Sequence, residues 1–171
     1  MSKVVKKQRI LGIDPGFGRT GWGVIEKAGA DWQPVAYGCI ETSAKKDFVS
    51  RIDELSLELV KIIKKYKPTR SGVEDLFFAK NVKTAMKVGQ ARGVILLTLH
   101  QARIPIDEFN PLQIKQALTG YGRAEKGQVQ KMVEMILNIK KKIRPDDAAD
   151  ALAVALTCGA SMKMRSKTSG R

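Results

Sequence analysis

Four acidic residues stand apart from the rest: Asp14, Glu74, Asp147 and Asp150. Most other acids fall on what read as solvated helix surfaces. Asp14, in contrast, closes an apolar run just before the turn signal Asp14-Pro15-Gly16, and Glu74 closes the run SGVE beside a second acid, Asp75. Asp147 and Asp150 are three residues apart and share a helix face, at the head of a segment that is almost wholly apolar beyond Asp150. Adjacent strands ending in Asp14 and Glu74 would deliver both carboxylates to one sheet edge. Carboxylates gathered in one place repel unless cations neutralise them, and hard divalent ions such as Mg²⁺ or Mn²⁺ suit oxygen ligands. Two such ions about 3.5–4 Å apart activate a water and stabilise the leaving oxygen at a phosphodiester. Ordinary roles compete with this reading. Asp146 and Asp147 also suit the first turn of a helix, Asp14 suits a turn, and Glu74 with Asp75 suits a strand end. Spacing alone leaves Asp146 open as a partner of Asp150, since i,i+4 also shares a face.

Positioning these groups falls to a short series of elements. Residues 9–13 form a buried strand, and 21–26 and 35–41 form two more. The Gly-rich link 16–21 and the polar stretch 27–33 read as turns, which makes a hairpin-joined meander. Ile52, Leu55, Leu59, Ile62, Ile63 and Tyr66 recur at helical spacing, and Pro68 ends that helix. A short strand at 71–75, a long helix at 81–100 and an edge-like strand at 103–107 follow. Asn110-Pro111 pairs an N-cap residue with proline at the first helical position. Val129, Met132, Val133, Ile136 and Leu137 lie on one face of a helix over 126–139, and a buried helix runs from Asp146 to about Met162. The order βββαβαβααα predicts an α/β chain with a mixed five-stranded sheet flanked by helices. One domain is expected at 9–162, with basic tails at 1–8 and 163–171.

The composition narrows the partners. The chain has 171 residues, 31 Lys plus Arg against 17 Asp plus Glu, and a formal net charge of +14. Residues 1–9 and 163–171 carry eight of the basic groups and no acid. A basic body with basic arms suits a polyanion, most often nucleic acid, with a merely solvated surface as the bland alternative. Collagen-like, disordered and disulfide-framed chains are excluded. No apolar run reaches the ~18 residues of a membrane span, and MSKVVKKQRI lacks the apolar stretch of a secretory signal. Cys39 and Cys158 match no metal spacing and read as reduced thiols of a cytoplasmic protein. The lone His100 builds neither a triad nor a zinc site, and there is no P-loop motif.

Candidate nucleic-acid contacts cluster in two places. Lys115 lies in NPLQIKQALTG, and Arg123 and Lys126 lie in GRAEKGQVQ, around Gly120 and Gly122 where backbone can approach phosphate. Phe77 and Phe78 are adjacent and face opposite ways, so one stands near the surface, where stacking on an unpaired base is worth about 1–3 kcal/mol. Lys80, Lys83 and Lys87 make a basic stripe on the second helix, and Ala85, Gly89 and Gly93 a small-residue one. The small stripe permits close packing, on the protein's own sheet or on a second copy.

Taken in order, LGIDPGFGRTGWGVIE, GVEDLFFAKN, VGQARGV, GRAEKGQVQKMV and PDDAADALAVAL resemble the RuvC family of bacterial Holliday-junction resolvases across about residues 9–158. The resemblance implies an RNase H-like fold. It implies a homodimer that nicks two opposing strands of four-way junction DNA, leaving 5′-phosphate and 3′-hydroxyl ends, in recombination and repair. It implies work beside the RuvA–RuvB branch-migration complex. Its catalytic, metal-binding carboxylates map onto Asp14, Glu74, Asp147 and Asp150, with Asp146 left as a helix-start acid. Some relatives carry histidine at the Asp147 position. Two Mg²⁺ ions, replaceable by Mn²⁺, follow from the same resemblance, as do DNA contacts at Lys115 and Lys126 and stacking by Phe77, with Arg123 an added basic group in the same turn. The competing class is a non-catalytic, shape-selective DNA-binding protein of the same fold. A sugar-kinase or actin-like ATPase also opens with a strand ending in IDxG, but needs a duplicated second domain for which 171 residues are too few.

Overall fold

The computed structural model describes residues 7–75 and 82–168. Its elements are β1 (Arg9–Asp14), β2 (Arg19–Ala28), β3 (Asp31–Glu41), α1 (Phe48–Tyr66), β4 (Arg70–Glu74), α2 (Val82–Gln101), β5 (Ile106–Phe109), α3 (Pro111–Thr119), α4 (Lys126–Ile136) and α5 (Asp146–Thr168). The sheet order is β3-β2-β1-β4-β5, with β1, β2 and β3 antiparallel and β4 and β5 parallel to β1. This is the mixed five-stranded α/β arrangement expected.

Side-chain alternation sorts the sheet into two faces. Leu11 and Ile13 of β1, Val24 of β2 and Val73 of β4 pack with Leu55, Leu59, Ala91, Ile95 and Leu99 of α1 and α2. Ile10 and Ile25 face the other way, into the core built by α3, α4 and α5. On that second face the strands carry glycines. A Cβ on Gly12 would lie 2.0 Å from the carbonyl oxygen of Ala151, one on Gly21 2.0 Å from that of Asp147, and one on Gly23 2.7 Å from Leu152. The helix side of this contact is Ala148, Ala151 and Ala155, all fully buried. Bare glycine backbone and small alanines thus let α5 lie almost directly on β1 and β2. Asp14 and Glu74 have the same parity as Gly12 and Gly72, so both belong to the face that α5 covers.

Local chemistry ends several elements away from their expected limits. The β2–β3 turn is only Gly29-Ala30, with Gly29 at φ +59, because half-buried Lys27 and the exposed Asp31 and Gln33 of the edge strand β3 extend the hairpin ladder. β5 starts at Ile106 rather than Arg103. The end of α2 consumes the intervening residues: Arg103 sits at φ 57, its N–H donates to the His100 carbonyl, and that of Ile104 donates to Leu99. α4 stops at Ile136, where Asn138 turns left-handed and the Ile139 N–H returns to the Glu134 carbonyl. α5 does not end near Met162 but continues to Thr168, so the basic segment expected to begin at 163 starts as helix.

One cause of that continuation is visible. Asp107 of β5 is 9% exposed and receives Arg70 Nη1 at 2.7 Å and, from α5, Arg165 Nη1 at 3.0 Å. Burial works against its charge, but the hydrogen bonds from Arg70 and Arg165 outweigh it and hold the carboxyl below its ordinary value. Asp107→Asn is expected to lower stability by about 1–2 kcal/mol, limited by solvent screening at exposed Arg165. For a depressed carboxyl pKa the contribution is complete above the ordinary carboxylate range and lost as pH falls through the lowered folded value. Urea unfolding of both proteins at pH 7 and at pH 2.5 checks this; an equal difference at both pH values would refute it.

Candidate active site

β1 and β4 run parallel in a register that pairs Ile13 with Val73, and Asp14 and Glu74 lie one step further along. The two carboxyls are near enough that each perturbs the ionisation of the other. The first two turns of α5 bring Asp147 and Asp150 to the same sheet end. A cavity of about 300 Å³ opens there, lined by Asp14, Glu74 and Asp150 and by Lys115 and Lys126, over an apolar floor that includes Ile114 and Val129. The loop after Asp14 is braced from outside. Phe17 stacks on Phe48 with centroids 5.2 Å apart, and the guanidinium of Arg51 lies 3.8 Å from the Phe17 ring.

Charge dominates the site. Burial, then the neighbouring Glu74 and Asp150, push the Asp14 carboxyl up to about 8. Burial also raises Glu74 and Asp150. Lys126 opens α4, and its Nζ donates to Asp150 Oδ2 at 2.6 Å. Burial alone would favour neutral Lys126, but the bond to Asp150 outweighs it and keeps the amine charged. Asp147 pairs with Arg19 Nη2 at 3.1 Å and does not line the cavity itself. Asp146 turns outward to Arg144 at 3.3 Å.

The donor set suits a hard cation. The cavity lining offers carboxylate oxygens and neither histidine nor cysteine, and burial together with the neighbouring acids disfavours the charged form of Asp14, which a bound cation would relieve. Among the described residues, no three acidic, histidine or cysteine side chains are grouped so as to hold one ion. Asp147 and Asp150 are each turned onto a basic side chain, Arg19 and Lys126. A divalent ion would have to displace those contacts.

Lys115 reaches the cavity from α3, whose start is fixed by a capping box between Asn110 and Gln113. Arg123 is exposed in the link between α3 and α4 and is not among the lining residues. Phe77, Phe78 and Lys80 lie outside the described residues. Lys87 sits over the Phe17 ring at 5.3 Å. Gly93 is exposed on α2, with open space where a Cβ would point, whereas Ala91, Ile95 and Leu99 make the sheet-facing side of that helix.

Two residues of the site escape sequence reasoning. Arg19 looks like an ordinary turn residue, since its partner is 128 positions away. Arg92 falls within VGQARGV, but nothing local reveals its task. Its Nε donates to the Glu74 carbonyl at 3.4 Å, and its Nη2 pairs with Asp75 at 3.1 Å and with Glu108. It thereby ties the ends of β4 and β5 together from α2.

Comparisons with known proteins place the chain in a family. The family described as "Crossover junction endodeoxyribonuclease RuvC" matches residues 10–158. A RuvC of Petrotoga mobilis is 51% identical over 161 residues, 94% of this chain and 98% of the relative. One of Halothermothrix orenii is 51% identical over 158 residues, 92% of this chain and 96% of the relative. Among solved structures, Thermus thermophilus RuvC in complex with a Holliday junction substrate superposes with a TM-score of 0.87 at 34% identity, covering 92% of this chain and 96% of that one. A yeast mitochondrial Holliday junction resolvase, at 14% identity and a TM-score of 0.64, shares the fold alone. The fold is the RNase H-like one, and the chain belongs to the RuvC family of crossover junction endodeoxyribonucleases.

Proposed function

We propose that this protein is a structure-selective endonuclease that resolves four-way DNA junctions by paired hydrolysis of two opposing strands, leaving 5′-phosphate and 3′-hydroxyl ends. The observation that carries this reading is the juxtaposition of buried acids with basic walls. Asp14, Glu74 and Asp150 line one cavity with Lys115 and Lys126. A backbone phosphate entering it meets the two lysines, which neutralise its charge and set its depth. Asp14 and Glu74 then lie behind it, and the raised pKa of Asp14 means that its charged form is favoured once positive charge arrives. Asp14, Glu74, Asp147 and Asp150 would hold two Mg²⁺ ions, or Mn²⁺ in their place, which would supply activation of the attacking water and charge stabilisation of the departing 3′-oxygen. Arg123 and Phe77 serve as outer DNA contacts, the one for phosphate and the other for stacking.

Paired nicking calls for two related sites, which a two-fold homodimer provides. The open small-residue face of α2 at Gly93 supports a second copy there. The nuclease domain takes in residues 9–162 together with the rest of α5, to Thr168, and the basic ends add non-specific grip. The setting is cytoplasmic recombination and repair, beside the RuvA–RuvB branch-migration complex. Among the described residues no helix is long and apolar enough to cross a membrane.

The test is a synthetic four-way junction with labelled arms, incubated with the protein in Mg²⁺ or in chelator. Symmetrical, ligatable nicks in Mg²⁺, none in chelator and none in linear duplex are expected. Junction binding without nicking in either Mg²⁺ or Mn²⁺ would favour the non-catalytic DNA-binding class instead.

A further inference from the structure

Arg19 holds an unusual position. It is the first residue of β2, and its cross-strand partner on β3 is Glu41. Its Nη2 lies 3.1 Å from Asp147 Oδ2 and 3.6 Å from Glu41 Oε1, so one guanidinium faces two carboxylates. The two acids are not equivalent. The Asp147 backbone is seated on Gly21, two residues along from Arg19, where a Cβ would lie 2.0 Å from the Asp147 carbonyl oxygen. Glu41 is 66% exposed on the edge strand, and Arg19 is itself half exposed. Arg19 is thus the more exposed side chain of the Asp147 pair, with a second carboxylate already beside it.

We propose that Arg19 is a resident counter-ion of Asp147 that competes with a divalent cation for that carboxylate and passes to Glu41 when the cation binds. The inference rests on the reading of Asp147 as a metal-binding group. Arg19 offsets part of the negative charge that Asp147 brings to the site in the metal-free protein. The same contact raises the cation concentration needed to fill the Asp147 side. Arg19 is thus a positioning residue, acting on the metal through Asp147.

The test uses Mn²⁺ alone, without DNA, with free Mn²⁺ read from its electron paramagnetic resonance signal. Arg19→Gln is expected to lower the half-saturating Mn²⁺ concentration by about fivefold, the scale of an exposed ion pair. Beside Asp147→Asn the same substitution is expected to change it by less than about twofold, because the contact is already gone. Glu41→Gln is expected to weaken Mn²⁺ binding in the parent protein and to have no effect beside Arg19→Gln. An equal effect of Arg19→Gln with and without Asp147 would show a long-range field in place of competition and overturn the proposal. So would Mn²⁺ binding by the parent that Arg19→Gln leaves unchanged. If the parent binds no Mn²⁺, the metal reading itself fails and this inference falls with it, an outcome distinct from the other two.

Discussion

Asp14→Asn is expected to reduce junction cleavage by roughly 10³-fold or more while leaving junction binding within about twofold. It removes a central oxygen donor of the site but none of the basic surface. The same substitution is expected to stabilise the metal-free protein. Burial and the neighbouring acids push the Asp14 carboxyl from an ordinary 3.8 up to about 8. A raised carboxyl value means that the folded state holds a proton the unfolded chain has released, across the window from about pH 4 to about pH 8. The metal-free parent therefore loses stability as pH rises through that window. Asparagine has no such proton to lose. The melting temperatures of the two proteins should be close at pH 4 and diverge in favour of the variant by roughly 5 °C at pH 8. Near-normal cutting by the variant would refute the site assignment. Parallel melting curves across this pH range would refute the account of why Asp14 is strained. Stability sacrificed to gather like charges is a common feature of catalytic sites.

Gly12→Ala and Gly21→Ala add the same methyl group and are expected to fail in different ways. At Gly12 the new Cβ meets the Ala151 carbonyl oxygen at 2.0 Å and the Ala155 amide nitrogen at 2.5 Å. Both are backbone atoms in the middle of α5, so the helix must leave the sheet. A loss of about 3 kcal/mol or more is expected, seen as a melting temperature lower by roughly 6–12 °C. At Gly21 the clash is with the Asp147 carbonyl, in the first turn of α5. A helix end moves more cheaply, so the stability loss should be nearer 1–2 kcal/mol. The motion carries Asp147 with it, and cleavage by folded protein is expected to drop by about 10²-fold, the effect of misplacing a catalytic group by about 1 Å. Gly127→Ala, with nothing within 4 Å of its Cβ, is the control and should be neutral or slightly stabilising. Urea unfolding with single-turnover cleavage separates these cases. Parent-like stability for Gly12→Ala would mean that α5 is not seated on β1 as closely as described.

Much of the fold is written in contacts between sequence neighbours. The alternation of β1 puts Leu11 and Ile13 on one face and Ile10, Gly12 and Asp14 on the other, and that parity is legible without a structure. The α3 cap at Asn110-Pro111 is likewise a local signal. Where β5 and α4 moved from their expected limits, the cause was a backbone turn that composition does not announce. Arg103 and Asn138 adopt left-handed conformations to end their helices, which delays β5 and shortens α4.

The acids themselves, their strand-end or helix-start positions and the basic surplus were determined by the sequence alone, because residue type, periodicity and charge are properties of short segments. Only the tertiary structure decided how those acids are held. Arg19 reaches Asp147, Lys126 reaches Asp150, and Arg92 ties Glu74 to β5. It also turned Asp146 outward to Arg144 and Asp147 inward, a choice that helical spacing left open. Each of these contacts joins separate elements or depends on how α5 sits on the sheet. Their geometry follows from the close approach of α5 to the glycines of β1 and β2, and that approach exists only once the chain has folded.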